Sequence, residues 1–241
     1  TTANGRHMID PFTALAAIQT AVKLVKTAAQ TVKDVESLGP VLGKFFSAKA
    51  DAITFTIHLV KRSQVLKDFS RHAVFRDIAH DTLGPGARLY WDQAVYKKPG
   101  NPEEFPWHQD NGYTFVSPEN YLTVWIALTD ATVEAGCPWV APGMQRHGTL
   151  VHNYVEPLGY ETFEEPPVTP LAAPVKAGGA VVFSSLTPHL TGPNTSSSVR
   201  KAYIVQYIGN EATRFDNPED TTGTPMRDDH LYPMIEKRGH Q

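Results

Sequence analysis

Hydrophobic and polar positions change their spacing near Gly84-Pro85-Gly86. Before this point, apolar residues recur at alternating spacings of three and four, which places them on one face of a helix. The start of this helix is predicted at Asp10-Pro11 and its end near Gly39-Pro40. We expect the stripe to pack on the core, although a membrane-surface helix or a dimer seam would show the same pattern, and we expect further short helices over residues 47–83. The stripe consists of Leu15, Ile18, Val22, Val25, Ala29 and Val32.

After Gly86, apolar and polar residues alternate in short runs divided by Pro, Gly and Asn, which is typical of strands. Eight such runs over roughly 120 residues indicate a sandwich or a barrel. We therefore predict a single mainly β domain over residues 1–241, with helical support over 1–83, a core over 84–210, and a lid, a partner contact or a loose tail over 211–241. The predicted strands cover residues 87–97, 105–116, 120–129, 138–141, 149–155, 171–176, 179–186 and 199–209.

Composition narrows the classes of partner. The chain has 241 residues and a formal net charge of −3, so no basic excess points to nucleic acid or to an anionic membrane surface. The sequence has no apolar run of about 18 residues, so it predicts no transmembrane helix. The single cysteine, Cys137, excludes an intrachain disulfide and fits a cytoplasmic location. We expect a small-molecule substrate, no nucleic acid and no membrane partner; the oligomeric state stays open, and a homodimer is possible.

The first candidate for chemistry is the segment EFPWHQDNGY, residues 104–113. In a strand, residues i and i+2 face the same side, so His108 and Asp110 are predicted to converge while Gln109 points away. An imidazole and a carboxylate are two of the three protein ligands that suit an open iron(II) site. The alternative is an ordinary surface pair, because this triplet is common by chance.

A second histidine has to come from another part of the chain. The candidates are His147, His152 and His189. His189 follows the apolar run GGAVVFSSLTP, so a strand would deliver its imidazole to the mouth of a barrel. His147 lies in a predicted loop and His152 in a half-exposed strand, and we expect ordinary polar roles for both.

Arg200 follows His189 by eleven residues and opens the predicted strand RKAYIVQY. It shares one face of that strand with Ala202, Ile204 and Gln206, and a guanidinium is costly to bury there without an anion. Its planar fork can hold a carboxylate through two hydrogen bonds. The alternative is a surface salt bridge at the end of the strand.

Together these residues resemble the phytanoyl-CoA dioxygenase family of iron(II)- and 2-oxoglutarate-dependent oxygenases. The matching segments are WHQD, YLTVWIALTDATVEAGCPWVAPGMQRHG and PHLTGPNTSSSVRKAYIVQY, and the likeness covers residues 87–209. It implies a double-stranded β-helix, a cupin-like jelly roll with flanking α-helices. The sequence departs from the family at residues 142–145, where PGMQ replaces PGSH, and in lacking the usual opening strand, which is expected to be truncated or lost.

The resemblance also assigns roles to matching positions. His108, Asp110 and His189 would be the iron ligands. The cosubstrate 2-oxoglutarate would be bound by Arg200, Thr191, Gln93 and Trp125, although core packing is an equal alternative for Trp125. Aromatic residues flank the metal positions and are expected to bind substrate, with core packing as the alternative for each: Tyr113 as the first choice, then Trp107 and Trp139.

The expected activity is that of a dioxygenase which uses iron(II), 2-oxoglutarate and O2 to hydroxylate an unactivated C–H bond of a small organic substrate. Desaturation, ring closure and epimerisation are other outcomes of the same chemistry. The substrate would be a natural product or an acyl-CoA; Lys97-Lys98 could hold the CoA phosphates or could form a solvated turn. Two other classes stay open, a non-oxidative metal-binding isomerase with the same fold and a non-catalytic binding protein.

Overall fold

The computed structural model describes residues 37–38, 41–42, 53–156, 159–217 and 219–235. The apolar stripe that predicts the long first helix lies outside these residues. Only the predicted end of that helix is described, where Ser37 and Leu38 are helical and Leu38 is buried. Among the described residues, no helix combines the length and the apolar character needed to cross a membrane.

The described part of the chain is mainly β, as the alternating pattern predicts. Besides the helical residues at 37–38 and 41–42, it contains the α-helices α1 (Gln64–Phe69) and α2 (Ala73–Leu83), and short 3-10 turns cover Leu59–Lys61, Asp110–Gly112 and Met144–His147. The strands are β1 (Ile53–Ile57), β2 (Arg88–Lys97), β3 (Phe105–His108), β4 (Phe115–Ser117), β5 (Leu122–Ala127), β6 (Pro138–Val140), β7 (Asn153–Val155), β8 (Gly159–Glu161), β9 (Leu171–Ala172), β10 (Ala180–Ser184), β11 (His189–Thr191), β12 (Arg200–Ile208), β13 (Thr213–Phe215) and β14 (Thr224–Pro225).

Two antiparallel sheets form the jelly roll. The larger has the strand order β1-β2-β12-β5-β10 and the smaller the order β3-β11-β6-β9. Neighbours that are far apart in sequence, such as β2 and β12, show that the chain crosses between positions instead of forming simple hairpins. Strands β13 and β14 add to β4, and β7 pairs with β8. The predicted jelly roll is therefore confirmed.

Strand alternation divides the core into two layers on either side of the larger sheet. In β5, Val124 and Ile126 pack with residues of the helices, including Leu66 and Phe75. Trp125 lies on the opposite face, in a separate apolar cluster. Because both faces are covered, strand β12 is buried along almost its whole length, which explains its continuous apolar sequence.

The structure corrects the prediction of only short helices over residues 47–83. Residues 53–57, ITFTI, form β1, which pairs with β2 at the edge of the larger sheet. Their β-branched residues favour a strand, and this preference outweighs the helical texture of the residues that follow. The predicted strand over 105–116 is also interrupted, because a 3-10 turn at Asp110–Gly112 separates β3 from β4.

The described residues of the last segment pack on the core. Met226 and Ile235 are buried, and the backbone N–H of Ile235 donates to the carbonyl of Ala87. Arg88 donates to the Asp229 carboxylate at 2.6 Å and to the Tyr232 carbonyl at 3.0 Å. Residues 219–235 therefore pack at the start of β2.

Candidate metal and cosubstrate site

Two short strands of the smaller sheet bring the predicted metal residues together. His108 ends β3, His189 begins β11, and the two residues are direct partners in the antiparallel register. Asp110 begins the 3-10 turn that follows β3, and its Oδ1 lies 3.9 Å from His108 Nε2 and 3.8 Å from His189 Nε2. One ligand atom from each of the three residues falls within 4.8 Å of the others. His108 and Asp110 therefore converge, although a turn and not a continuous strand places them.

Hydrogen bonds to backbone carbonyls fix both imidazole rings. His108 Nδ1 lies 2.8 Å from the Pro106 carbonyl oxygen, and His189 Nδ1 lies 2.9 Å from that of Thr187. A carbonyl oxygen can only accept, so each Nδ1 carries a proton, and in the neutral form of the ring Nε2 keeps its lone pair. Burial lowers the pKa of His108 well below its ordinary value, so that ring is neutral near pH 7. Neutral rings with free Nε2 atoms are the form that binds a divalent metal.

A chain of two side chains from the larger sheet holds Asp110. Thr123 Oγ1 donates to Asp110 Oδ2 at 2.5 Å, and Gln206 Nε2 donates to Thr123 Oγ1 at 3.1 Å. Thr123 and Gln206 are paired in the register of β5 and β12. One carboxylate oxygen is thereby occupied and the other is directed towards the two histidines. The two histidines and the carboxylate fit a metal such as iron(II), which takes this ligand set with open positions.

The residue between the two ligands supports the turn from the other side. Gln109 is buried, and its amide donates to the carbonyls of Gly148 and Leu186 at 2.9 and 2.6 Å. Its backbone N–H donates to His152 Nε2 at 2.8 Å, so His152 has a structural role and is not a fourth ligand. Gly112 makes room for that imidazole, because a Cβ there would lie 2.2 Å from the ring.

Arg200 is buried at the start of β12 with 1% of its surface exposed. Nε, Nη1 and Nη2 of its guanidinium have no hydrogen-bond partner among the described residues. Its Cζ lies over the face of the Trp125 ring, 5.3 Å from the ring centroid. Burial lowers the pKa of Arg200 to about 10, so the group is still charged at neutral pH. A buried guanidinium without a partner is costly, so this position is suited to a bound anion.

Lys97 does not lie in a solvated turn, which was one of the two roles expected for Lys97-Lys98. Its side chain is fully buried, and its ammonium donates to the carbonyls of Glu103, Thr191 and Gly192 at 3.1, 3.1 and 2.6 Å. Burial, together with the charge of Arg200, lowers the pKa of Lys97 to about 7. Lys97 therefore joins β2 to the turn that follows β11 and is not available to a phosphate group.

A cavity of about 440 Å³ lies between the two sheets and contains both the cluster of metal residues and the guanidinium of Arg200. His108, Asp110, His189 and Arg200 all line it. Four of the other predicted site residues also line this cavity: Gln93, Thr191, Trp125 and Tyr113. Its volume is in the range of pockets that bind small molecules.

Trp107 and Trp139 are not brought into this cavity. Trp107 precedes His108 in β3 and so faces the opposite side of the strand, where it packs with Ala141 and Leu190. Trp139 pairs with Leu190 in the register of β6 and β11 and packs in the same cluster. The core-packing alternative therefore describes both residues, and the expectation that they line the substrate cavity is corrected.

Sequence reasoning missed several residues of this cavity. Thr123 and Gln206 were not proposed as supports of Asp110, although each shares its strand face with a predicted residue, Trp125 or Arg200. Residues at even spacing along a strand face the same side, and this spacing is the signal that could have identified Thr123 and Gln206. Phe55 was missed because β1 was taken for helix.

Comparison with known proteins gives a family match over most of the chain. The model of the family described as Phytanoyl-CoA dioxygenase (PhyH) matches residues 11–202. A phytanoyl-CoA dioxygenase of Arabidopsis thaliana is 27% identical over 154 residues, which are 62% of this chain and 54% of that protein. Phytanoyl-CoA dioxygenase domain-containing protein 1 of Danio rerio is 31% identical over 130 residues, 49% of this chain and 44% of that protein. The chain thus spans about half the length of these relatives.

A similar solved structure agrees with the fold. The crystal structure of SnoK, a non-haem alpha-ketoglutarate-dependent carbocyclase from nogalamycin biosynthesis, superposes with a TM-score of 0.64 at 25% identity. The match covers 90% of this chain and 88% of SnoK. The likeness therefore extends well beyond the residues that line the cavity.

Proposed function

The chain belongs to the phytanoyl-CoA dioxygenase family, and we propose from this membership that it is an iron(II)- and 2-oxoglutarate-dependent oxygenase. Its reaction would oxidise an unactivated C–H bond of a small organic substrate, with hydroxylation as the simplest outcome. The observation that carries the proposal is the presence of two complementary sites in one cavity. One is the His108, Asp110 and His189 cluster, and the other is the unpaired guanidinium of Arg200.

Each part of the site has a separate task in this proposal. His108, Asp110 and His189 would hold the iron, and Arg200 would bind the distal carboxylate of 2-oxoglutarate, with Thr191 beside it. A bound iron(II) ion would supply the chemistry with O2, while oxidative decarboxylation of the cosubstrate to succinate and CO2 supplies two electrons. In such a reaction one oxygen atom of O2 would go to succinate and the other to the substrate.

The protein's own groups provide positioning and charge. Arg200 offers a fixed fork at a place from which water is largely excluded, so a carboxylate bound there is oriented as well as neutralised. The Thr123 hydroxyl keeps one oxygen of Asp110 directed towards the two imidazoles. Trp125 packs against the guanidinium and limits its movement. Such support before ligand binding is what keeps a reacting group in place.

The same features weigh against the other two classes. A non-oxidative metal-binding isomerase would have no use for an unpaired buried guanidinium beside the metal residues. A non-catalytic binding protein would not need all three ligand positions, yet all three are present and converge. Because Cys137 is buried and unpaired and the chain has no second cysteine, we keep the cytoplasm as the proposed location.

An anaerobic titration tests the proposal. Protein with iron(II) and 2-oxoglutarate should develop a weak visible charge-transfer band, and Arg200→Ala should abolish the band or require far more cosubstrate. His189→Ala should lose iron binding itself. Bound iron without a band in the unsubstituted protein would contradict the proposal and favour the isomerase.

A further inference from the structure

We propose that the substrate of this cavity is an uncharged, planar, mainly apolar ring system. This inference rests on the proposed function, because it names the substrate class of the same cavity. It depends on three rings beside the metal cluster, Phe55, Phe105 and Tyr113, which we call the aromatic wall. Phe55 and Tyr113 are 43% and 40% exposed, so the wall forms the open part of a cavity in which Arg200 is buried.

The aromatic wall begins directly at an iron-ligand position. The rings of Phe105 and Tyr113 each contact the His108 imidazole edge-on, with centroid distances of 4.8 and 5.3 Å. Phe105 and Tyr113 are also stacked on each other at 6.3 Å and 22°, and Phe55 lies 5.7 Å from Phe105. A flat molecule lying against these rings would therefore place one of its edges next to the metal cluster.

The strand β8 holds the Tyr113 ring of the wall in position. The backbone N–H of Tyr160 donates to the Tyr113 hydroxyl oxygen at 3.1 Å. Gly159, with φ of 118°, permits this approach, because a Cβ there would lie 2.6 Å from that oxygen. The hydroxyl group accepts in this bond, so its own proton can be donated to an oxygen atom of the substrate. A ring fixed in advance loses little conformational entropy on binding, which favours a rigid flat partner.

The charges in the cavity favour an uncharged partner. Among the described residues that line it, the charged or titratable groups other than tyrosines are Arg200, Asp110 and the two histidines. The proposed metal and cosubstrate use all four. A phosphate or carboxylate on the substrate would be desolvated here without a counter-charge, and the three carbonyls bound by Lys97 keep that ammonium out of reach.

Aromatic side chains continue beyond the cavity along the β7–β8 hairpin. Tyr160 contacts Tyr113 edge-on at 5.3 Å, and Tyr154, which is 59% exposed, contacts Tyr160 at 5.6 Å. Contiguous exposed aromatic side chains are unusual on a protein surface that has no binding role. They extend the wall outward, so a ring system longer than the cavity could be bound along them.

Equilibrium dialysis of the anaerobic protein with iron(II) and 2-oxoglutarate tests the inference. The probes are 9-anthracenemethanol, the matched anion 9-anthracenecarboxylate, octanoyl-CoA and the flexible 1-decanol. We expect the neutral anthracene to bind at least tenfold more tightly than its carboxylate and than octanoyl-CoA. Tighter binding of octanoyl-CoA, or equal binding of the two anthracenes, would overturn the inference.

Matched variants test the aromatic wall itself. Phe105→Leu should weaken 9-anthracenemethanol about three- to tenfold while 1-decanol changes less than twofold, because only the planar probe loses a stacking partner. Phe215→Leu is the control, since Phe215 pairs with Phe115 and is not among the lining residues of the cavity. Equal losses of both probes in Phe105→Leu, or the same loss in the control, would overturn the role of the wall.

The absorption band separates the two proposals. If the band forms with iron(II) and 2-oxoglutarate but the neutral anthracene does not bind, the inference on the substrate is wrong and the proposed oxygenase stands. If iron binds without the band while the anthracene preference persists, the proposed function is wrong and the binding preference stands.

Discussion

Replacing Arg200 by methionine should stabilise the protein in the absence of 2-oxoglutarate. The guanidinium is 1% exposed, and its three nitrogen atoms have no hydrogen-bond partner among the described residues. Methionine has a similar length and no charge, so it removes the cost of burial without leaving a large cavity. Most substitutions of a fully buried residue destabilise, which makes the opposite sign informative.

The pKa of Arg200 gives the magnitude. Burial lowers the pKa from 12.5 to about 10, and this difference corresponds to a cost of about 3 kcal/mol for the charged form. The penalty is fully present below pH 10, where the group is protonated in both states, and is lost only as the pH rises towards 12.5. The contact with Trp125 returns about 1–2 kcal/mol of it. At neutral pH, Arg200→Met should therefore raise the free energy of unfolding by about 1–2 kcal/mol.

Denaturant unfolding at pH 7.5, with and without 2-oxoglutarate and with Mn(II) in place of iron, measures this effect. The matched control is Arg88→Met. Arg88 is also buried, but its guanidinium donates to Asn210, Asp229 and the Tyr232 carbonyl, so its loss should cost about 1.5–3 kcal/mol. Saturating 2-oxoglutarate should stabilise the unsubstituted protein by about 2.7 kcal/mol at 100 times its Kd, and should leave Arg200→Met unchanged.

Two results would refute this reasoning. Destabilisation of Arg200→Met to the same extent as Arg88→Met would show that Arg200 is a satisfied structural residue. Stabilisation of Arg200→Met by 2-oxoglutarate would show that the anion binds somewhere else in the protein.

Three further changes test the support of the site. Thr123→Val should lower metal affinity about 10- to 100-fold, because Asp110 loses the hydroxyl that orients it, whereas Thr123→Ser should keep most of the affinity. Calorimetric titration with Mn(II) measures the two variants, and equal affinities would contradict the role of the hydroxyl. Gly112→Ala should displace the His152 imidazole, which would lie 2.2 Å from the new Cβ, and so cost about 2 kcal/mol or more in denaturant unfolding; an unchanged stability would show that the turn can move aside. The pKa of Lys97 falls from 10.5 to about 7, so between these values the unfolded state binds more protons. The stability of the unsubstituted protein relative to Lys97→Met should rise by up to about 1.4 kcal/mol per pH unit from pH 7 to pH 10, and a flat difference would exclude the shift.

Strand periodicity predicted much of the core from the sequence. Long strands such as β2 and β12 have enough residues for alternation to be read directly, and their predicted bounds differ from the observed ones by at most one residue at either end. The three-residue strand β11 was missed, because so short a run carries no periodic signal. Its first residue, His189, could still be placed, since the apolar strand before it ends just short of the histidine.

Side-chain contacts between distant segments set the limit of this reasoning. Lys97 and Lys98 are neighbours in sequence and looked alike, yet only the fold shows that Lys97 points into three backbone carbonyls. From the sequence, Trp107 could either bind substrate or pack in the core, and only the register of β3 showed which side of that strand faces the cavity. Parity along one strand can be read from sequence, but the face that meets the cavity depends on partners 30 to 100 residues away, as with the separation of 94 residues between Lys97 and Thr191.

The architecture divides the site between elements of different length. His108 and His189 lie on strands of four and three residues in the smaller sheet, and Asp110 lies on a single turn. Such short elements gain little from their own ladders, so bonds from Thr123 and other residues outside them have to hold the metal positions. Arg200 instead lies on a nine-residue strand at the centre of the larger sheet, where packing on both faces holds its backbone. Losing a residue that supports the metal positions should therefore reduce metal affinity well before it unfolds the protein. Backbone changes near Arg200 should instead affect ligand binding and the stability of the protein together.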